Sequence, residues 1–399
     1  MTCIAHLSQT ITAESYFNEN KETNRGAKHQ CRKRTCEGSS RLKQEVRNMK
    51  ALPDRNISSG GCLAHYVISA GGSRAILAGC GSIFANQLAG IEYQSIGGVS
   101  GGSIPAILLA SGMKPAQLLK FALDVDFREK CVNTAGTFKT ILAILLKEYH
   151  EHPENRTPHG IMETEKLGEF IDELVPVWPD KFWTMAVDGH SIIVFKKDGI
   201  FEYTDHGSCI KLADDPGSTG FAVRATCTIP GITKAPLFGD RYLFDGAFSK
   251  YGMCPVAVPI DHFGVAPKDI IGVCVGEDLM EGVTGVLRGF WKWVWGVKPD
   301  TSWGPHTKGV IDVHPHVDHI HALRFELSAD EKWLAVLDGF ACTVHTLAAH
   351  GLLKGERLHK ALTMLSSLPD LKSAVLGSLG EKQVLAHHAE RLFKEHGLL

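Results

Sequence analysis

The pentapeptide Gly98-Val99-Ser100-Gly101-Gly102 constrains this chain of 399 residues more than any other stretch. It reads G-x-S-x-G. The run at 91–96 before it is read as a buried strand, and Ser103-Ile104-Pro105-Ala106-Ile107-Leu108-Leu109 after it reads as a helix. A strand that enters a helix through one tight turn lifts the serine hydroxyl clear of the backbone. Glycines beside it remove side chains that would collide with neighbouring strands or with an approaching ester. The helix that starts here also turns the positive end of its dipole toward the reacting centre. Ser100 is therefore a candidate nucleophile, with Gly98, Gly101 and Gly102 shaping its turn. The plainer reading of the same residues is an ordinary βα turn.

Alternating strands and helices extend the pattern. His65-Tyr66-Val67-Ile68-Ser69 reads as a strand running into Gly71-Gly72 and then a helix over 74–88. Helices are expected at 113–129, 137–148 and 162–174, and the region 331–399 reads as mostly helical. Ser191-Ile192-Ile193-Val194-Phe195 and Gly199-Ile200-Phe201-Glu202-Tyr203 read as a hairpin around a two-residue turn at Asp198-Gly199, and a further strand is expected at 269–275. The expected fold class is α/β: a three-layer α/β/α sandwich with a mostly parallel central sheet, plus a helical C-terminal extension. The expected division is a polar, basic, disordered segment at 1–60, a catalytic core at 61–275 and a mixed, mostly helical region at 276–399 packed on the core.

Charge and cysteine usage narrow the setting. The formal net charge of -2 argues neither for nor against a polyanionic partner, and no nucleic-acid ligand is expected. Residues 21–50 carry ten Lys/Arg against three Asp/Glu, which reads as a disordered or processed leader, or as a tail attracted to anionic lipid or nucleic acid. His29, Cys31 and Cys36 lack a fourth ligand at a recognisable spacing, so no zinc site is assigned there. Eleven cysteines without framework spacing, and no charged-then-apolar leader, lead us to expect a reducing, intracellular setting. No apolar run approaches the roughly 18–20 residues that span a bilayer.

Two further stretches carry chemistry. Ala70-Gly71-Gly72-Ser73-Arg74 closes one strand and opens its helix. Adjacent N–H groups on glycines suit an oxyanion hole, which must meet charge that appears only in the tetrahedral intermediate. Arg74 would stand near the anion of a phosphorylated substrate, or else at the surface paired with a carboxylate. The G-x-G-x-x-G order of a dinucleotide loop is absent. Asp245-Gly246-Ala247, after Tyr242-Leu243-Phe244, places an aspartate at a strand end with little steric cover, although an isolated Asp-Gly is usually a turn.

Together these motifs resemble those of the patatin-like phospholipases, which share a G-G-G-x-R-G loop, a G-x-S-x-G turn and a D-G-[GA] motif in that order. The resemblance spans about 63–259 and includes Ala225-Thr226-Cys227-Thr228-Ile229-Pro230-Gly231. Ala70 and Ala75 stand where the family loop has its first and last glycines. The resemblance implies a Ser–Asp dyad: Ser100 attacks an acyl ester, Asp245 takes its proton, and Gly71 and Gly72 hold the oxyanion, with Gly246 and Arg74 completing the motifs. Neither a metal nor another cofactor is implied. A carboxylate of ordinary pKa, about 3.9, is a poor base, so the dyad requires Asp245 to be desolvated and hydrogen-bonded to Ser100. The implied activity is hydrolysis of phospholipid carboxylic esters, of phospholipase A type, with triacylglycerol lipase or another carboxylesterase as the alternative. The implied partner is a phospholipid or acylglycerol at a membrane or lipid-droplet surface, met by a cytoplasmic, peripherally attached protein; no activator is specified.

Three competing features remain. His319, His321 and His345 would allow a Ser–Asp–His triad of α/β-hydrolase type. His314-Pro315-His316-Val317-Asp318-His319 has the H-x-H-x-D-H spacing of a two-zinc hydrolase, with a histidine-rich strand edge as the plainer reading. Trp291, Trp293 and Trp295, interleaved with Lys292 and followed by Trp303, have the composition of a lipid–water interface, or of an aromatic cluster packed on the sheet. A non-catalytic lipid-binding module of the same fold is the alternative outside enzymes.

Overall fold

The computed structural model describes residues 62–126, 163–188, 191–204, 208–230, 233–275, 308–317, 320, 326–367 and 384–399. Its strands are β1 (Cys62–Ile68), β2 (Ile91–Gly98), β3 (Phe182–Val187), β4 (Ile192–Lys196), β5 (Gly199–Tyr203), β6 (Cys209–Ala213), β7 (Leu237–Phe238), β8 (Arg241–Tyr242), β9 (Phe244–Asp245), β10 (Ile270–Val273) and β11 (Ile311–Val313). Nine of them form one sheet in the order β11-β10-β1-β2-β3-β4-β5-β6, with β9 also on β3; β7 and β8 pair separately. From β11 to β3 every pairing is parallel, and from β3 outward every pairing is antiparallel.

Side chains alternate between two cores, as period-two geometry requires. Tyr66 and Ile68 of β1 face one core with Phe182 and Ala186 of β3, whereas Val67, Trp183, Met185 and Val187 face the other. The helices are α1 (Ser73–Ala89), α2 (Ser103–Ala110), α3 (Pro115–Asp124), α4 (Glu165–Leu174), α5 (Thr219–Thr226), α6 (Ala257–Phe263), α7 (Ala329–Ala349), α8 (Gly355–Ser367) and α9 (Val384–Glu395). Residues of α1, α2, α3, α7 and α9 fill the first core, and Val258 of α6 joins the second. The result is the expected three-layer α/β/α sandwich with helices in the C-terminal region. That region is continuous with the core, because β11 lengthens the parallel half of the sheet and α7 lies along α1. No described helix is long and apolar enough to cross a membrane.

Several expectations shift in detail. The run at 91–96 is buried only at its ends: Glu92 and Gln94 are exposed, and continuous burial begins at Ile96. The hairpin turn is Lys197-Asp198, since Lys196 pairs with Gly199. Gly199 is itself a strand residue at φ 135°. The strand ahead of the histidine-rich motif ends at Val313, and residues 314–317 continue without strand structure. The segment 1–60, the helix expected at 137–148 and Trp291, Trp293, Trp295 and Trp303 lie outside the described residues.

Candidate active site

Ser100 is the only described residue other than glycine with positive φ, at 53°. That left-handed backbone costs an L-residue roughly 1–2 kcal/mol. Such strain persists only where the surroundings over-determine it, commonly at functional sites. Here β2 ends at Gly98, a single 3-10 turn spans Ser100–Gly102, and α2 follows at once. Around the turn, Thr184 Oγ1 donates to the Gly98 carbonyl at 2.7 Å and the Ser100 N–H donates to Thr226 Oγ1 at 3.1 Å. Ser103 Oγ donates back to the Ser100 carbonyl at 2.6 Å. A Cβ on Gly101 would stand 2.3 Å from the Gly72 carbonyl oxygen, so the serine turn and the glycine loop touch backbone to backbone.

The loop is held from the sheet side. Ser69 N–H donates to the Val273 carbonyl at 2.9 Å and Ala70 N–H to the Met253 carbonyl at 2.8 Å. Val275 N–H donates to Ser69 Oγ at 3.0 Å. Gly72 has φ 57° and ψ -134°, a combination open in practice to glycine alone. Among the described residues no group accepts from the Gly71 or Gly72 N–H. Two amides beside a strained serine, neither spent on another bond, have the arrangement an oxyanion requires. Gly72→Ala, which forces this backbone to move, is expected to lower ester turnover by about 10²–10³-fold with little change in KM. Steady-state kinetics on a soluble ester would check it, and an unchanged kcat would count against the loop as donor. Arg74 is buried in the first turn of α1, which removes the surface-arginine reading.

Asp245 closes the site from β3. It pairs with Ala186 through the two-residue strand β9, and its N–H donates to the Thr228 carbonyl at 2.7 Å. Oδ1 accepts the Ala247 N–H at 2.9 Å. The steric cover is complete rather than slight: Asp245 is 0 % exposed, and a Cβ on Gly246 would stand 2.6 Å from the Met185 carbonyl oxygen. Burial raises the Asp245 carboxyl to about 7, against the opposing pull of the Ser100 side chain and the Ala247 amide. Oδ2 is buried without a closed hydrogen bond, so Ser100 lies near enough to favour the carboxylate but not in ideal alignment with it. Loose pairing of this kind is common before substrate arrives.

Ser100, the adjacent Gly71 and Gly72, and Asp245 thus come from three separate chain segments and meet beside the central strands β1, β2 and β3. The serine's supports, Thr184 and Thr226, were missed by sequence reasoning. Thr226 did lie within the quoted 225–231 stretch, but nothing local marks its hydroxyl as an acceptor for Ser100. No histidine is among the groups that shift Asp245. His319, His321 and Asp318 lie outside the described residues, and His314 is engaged with Asp312 at 3.2 Å. Among the described residues no group of three or more His, Cys, Asp and Glu is arranged to hold a metal ion.

A strand that passes through a strained serine turn into a helix is the nucleophile turn of α/β serine hydrolases. Residues 66–259 match the family model described as Patatin-like phospholipase, and that segment belongs to this family. No curated protein matches the chain. Among solved structures, the crystal structure of VipD from Legionella pneumophila is 11% identical over 85% of this chain and 80% of that one, with a TM-score of 0.37, too distant to carry detail across.

Proposed function

We propose that the protein hydrolyses carboxylic esters of phospholipids, as a phospholipase of A type, through a Ser100–Asp245 dyad and an acyl-enzyme. The observation that carries this reading is the buried carboxyl raised to about 7, set against a serine held at φ 53°. A base of that pKa is half-ionised near neutrality and strong enough to accept a hydroxyl proton as the serine attacks. Asp245 takes the Ser100 proton, Ser100 Oγ bonds to the acyl carbon, and Gly71 and Gly72 N–H groups receive the oxyanion. Return of the proton to the leaving alcohol releases the lysolipid. Water, deprotonated by the same carboxylate, then frees the fatty acid. The peripheral site of action, at a membrane or lipid-droplet surface, is part of the same proposal.

The test is fluorophosphonate labelling of wild type and Ser100→Ala, with product analysis on mixed phospholipids and acylglycerols. Label confined to wild type, with lysophospholipid and fatty acid as products, is expected. Equal labelling of both would overturn the nucleophile assignment, and release from acylglycerol alone would shift the substrate to a neutral lipid. The pH profile is a second expectation. Because the base must be ionised, kcat/KM should rise about tenfold per unit below pH 7 and level above it, with its midpoint near 7. A midpoint near 4 would mean that the working base is a solvated carboxylate.

A further inference from the structure

Behind the glycine loop lie two cysteines that the ester chemistry does not use. Cys274 follows β10 directly, and its N–H donates to the Val313 carbonyl of β11 at 2.9 Å. Cys254 reaches the same strand end, its Sγ 3.7 Å from the Val273 carbonyl oxygen. The two side chains neighbour each other in one buried cluster, 8 % and 6 % exposed for Cys254 and Cys274. Cys274 also meets the ring of His314, whose Nε2 stands 3.2 Å from Asp312 Oδ2. The His314 side chain is 45% exposed, so the chain of contacts runs from solvent through the imidazole to Cys274 and then Cys254. This accounts for the first histidine of the H-x-H-x-D-H motif in terms other than metal binding.

We infer that Cys254 and Cys274 form a peroxide-sensitive dithiol, in which Cys274 is oxidised first and Cys254 resolves it to a disulfide. The physical asymmetry supports that order. Hydrogen bonds to Asp312 and then Cys274 raise His314 to about 10, so a positive charge faces Cys274, the kind of neighbour that favours attack by a thiol. Burial, and then the neighbouring Cys274, hold the Cys254 thiol well above its ordinary range, so it stays protonated and donates. The Cys274 thiol loses its proton to solvent as its sulfur attacks one oxygen of hydrogen peroxide: an S–O bond forms, the O–O bond breaks, and the hydroxide that leaves takes a proton back from solvent to become water. Cys254 sulfur then attacks the Cys274 sulfenic sulfur: the S–S bond forms and the S–O bond breaks. The hydroxyl and the Cys254 proton depart as a second water. Two thiols lose two electrons and one peroxide gains them.

The position gives the couple leverage. Cys254 follows Met253, whose carbonyl accepts the Ala70 N–H, and Cys274 precedes Val275, whose N–H holds Ser69 and whose Cγ2 would lie 2.5 Å from a Cβ on Gly71. Closing the disulfide therefore pulls on both anchors of the loop.

The full chain, treated with hydrogen peroxide, alkylated and digested, tests the inference by peptide mass, independently of any ester substrate. A Cys254–Cys274 linked peptide is expected, forming about tenfold faster than oxidation of exposed Cys209, which serves as the internal reference. In Cys254→Ser the reaction should stop at Cys274 sulfenic acid, trapped by dimedone, and His314→Gln should slow the first step by about tenfold. Full alkylation of both thiols after Cys209 is oxidised, or linkage of Cys274 to a different cysteine, would overturn it. Loss of ester turnover with no linked peptide would also count against the dithiol, while a linked peptide in a chain that cleaves no ester would leave it standing.

Discussion

Asp245→Asn is expected to lower phospholipid turnover by about 10⁴-fold while the chain stays folded. The substitution keeps the shape, and the amide oxygen can still accept the Ala247 N–H now bonded to Oδ1 at 2.9 Å. What disappears is the acceptor for the Ser100 proton. Folding of the variant can be read from the same residue by linkage. A carboxyl with a folded value of about 7 against an ordinary value of 3.8 binds its proton more tightly in the native state. Its contribution to stability is thus fully present below 3.8 and is lost as pH rises through about 7. Asparagine carries no such charge, so Asp245→Asn should gain stability relative to wild type across that window and hold a constant difference above it. Denaturant unfolding at pH 5 and pH 8 measures the effect alongside turnover. Retained turnover, or a stability difference independent of pH, would show that the carboxyl is not the buried base.

Gly81→Ala is expected to destabilise the fold by roughly 3 kcal/mol, opposite in sign to what helix propensity alone predicts. At an exposed helical site the change would be favourable by about 1 kcal/mol. Gly81, however, lies in α1 where α7 crosses it, and a Cβ there would stand 1.9 Å from the Val336 carbonyl oxygen and 2.8 Å from the Phe340 nitrogen. Across the same crossing, a Cβ on Gly339 would meet the Ala78 carbonyl oxygen at 2.2 Å. Both obstacles are backbone and cannot rotate aside, so the helices must separate, and overpacking costs about 1–3 kcal/mol or more. Because α1 begins at the glycine loop, lower turnover should accompany the lower melting temperature. Calorimetry of Gly81→Ala and Gly339→Ala would check this, and an unchanged or raised Tm in either would refute the close crossing.

Much of the site was legible in the chain because its parts are local. Gly-x-Ser-x-Gly between a strand and a helix needs only neighbouring residues to specify the turn, and Gly71-Gly72 needs only the strand before and the helix after. The two-residue turn at Lys197-Asp198 shows the opposite case, since the hairpin was evident but its register was set by pairing across β4 and β5. That β3, β6 and β9 extend this hairpin into an antiparallel outer sheet was hidden for the same reason, because strand direction depends on which neighbour each strand finds.

The amino-acid order by itself determined the candidate nucleophile, the loop beside it, the aspartate and the layered α/β class. Each depends on side-chain size, glycine conformation and hydrophobic period, which act over a few residues. Only the tertiary structure decided that Asp245 is fully enclosed against β3, that Thr226 accepts from the Ser100 N–H, and that Cys254 and Cys274 meet behind the loop. Desolvation raises the Asp245 carboxyl to about 7. That is a property of everything packed around it, and no stretch of sequence contains that surrounding.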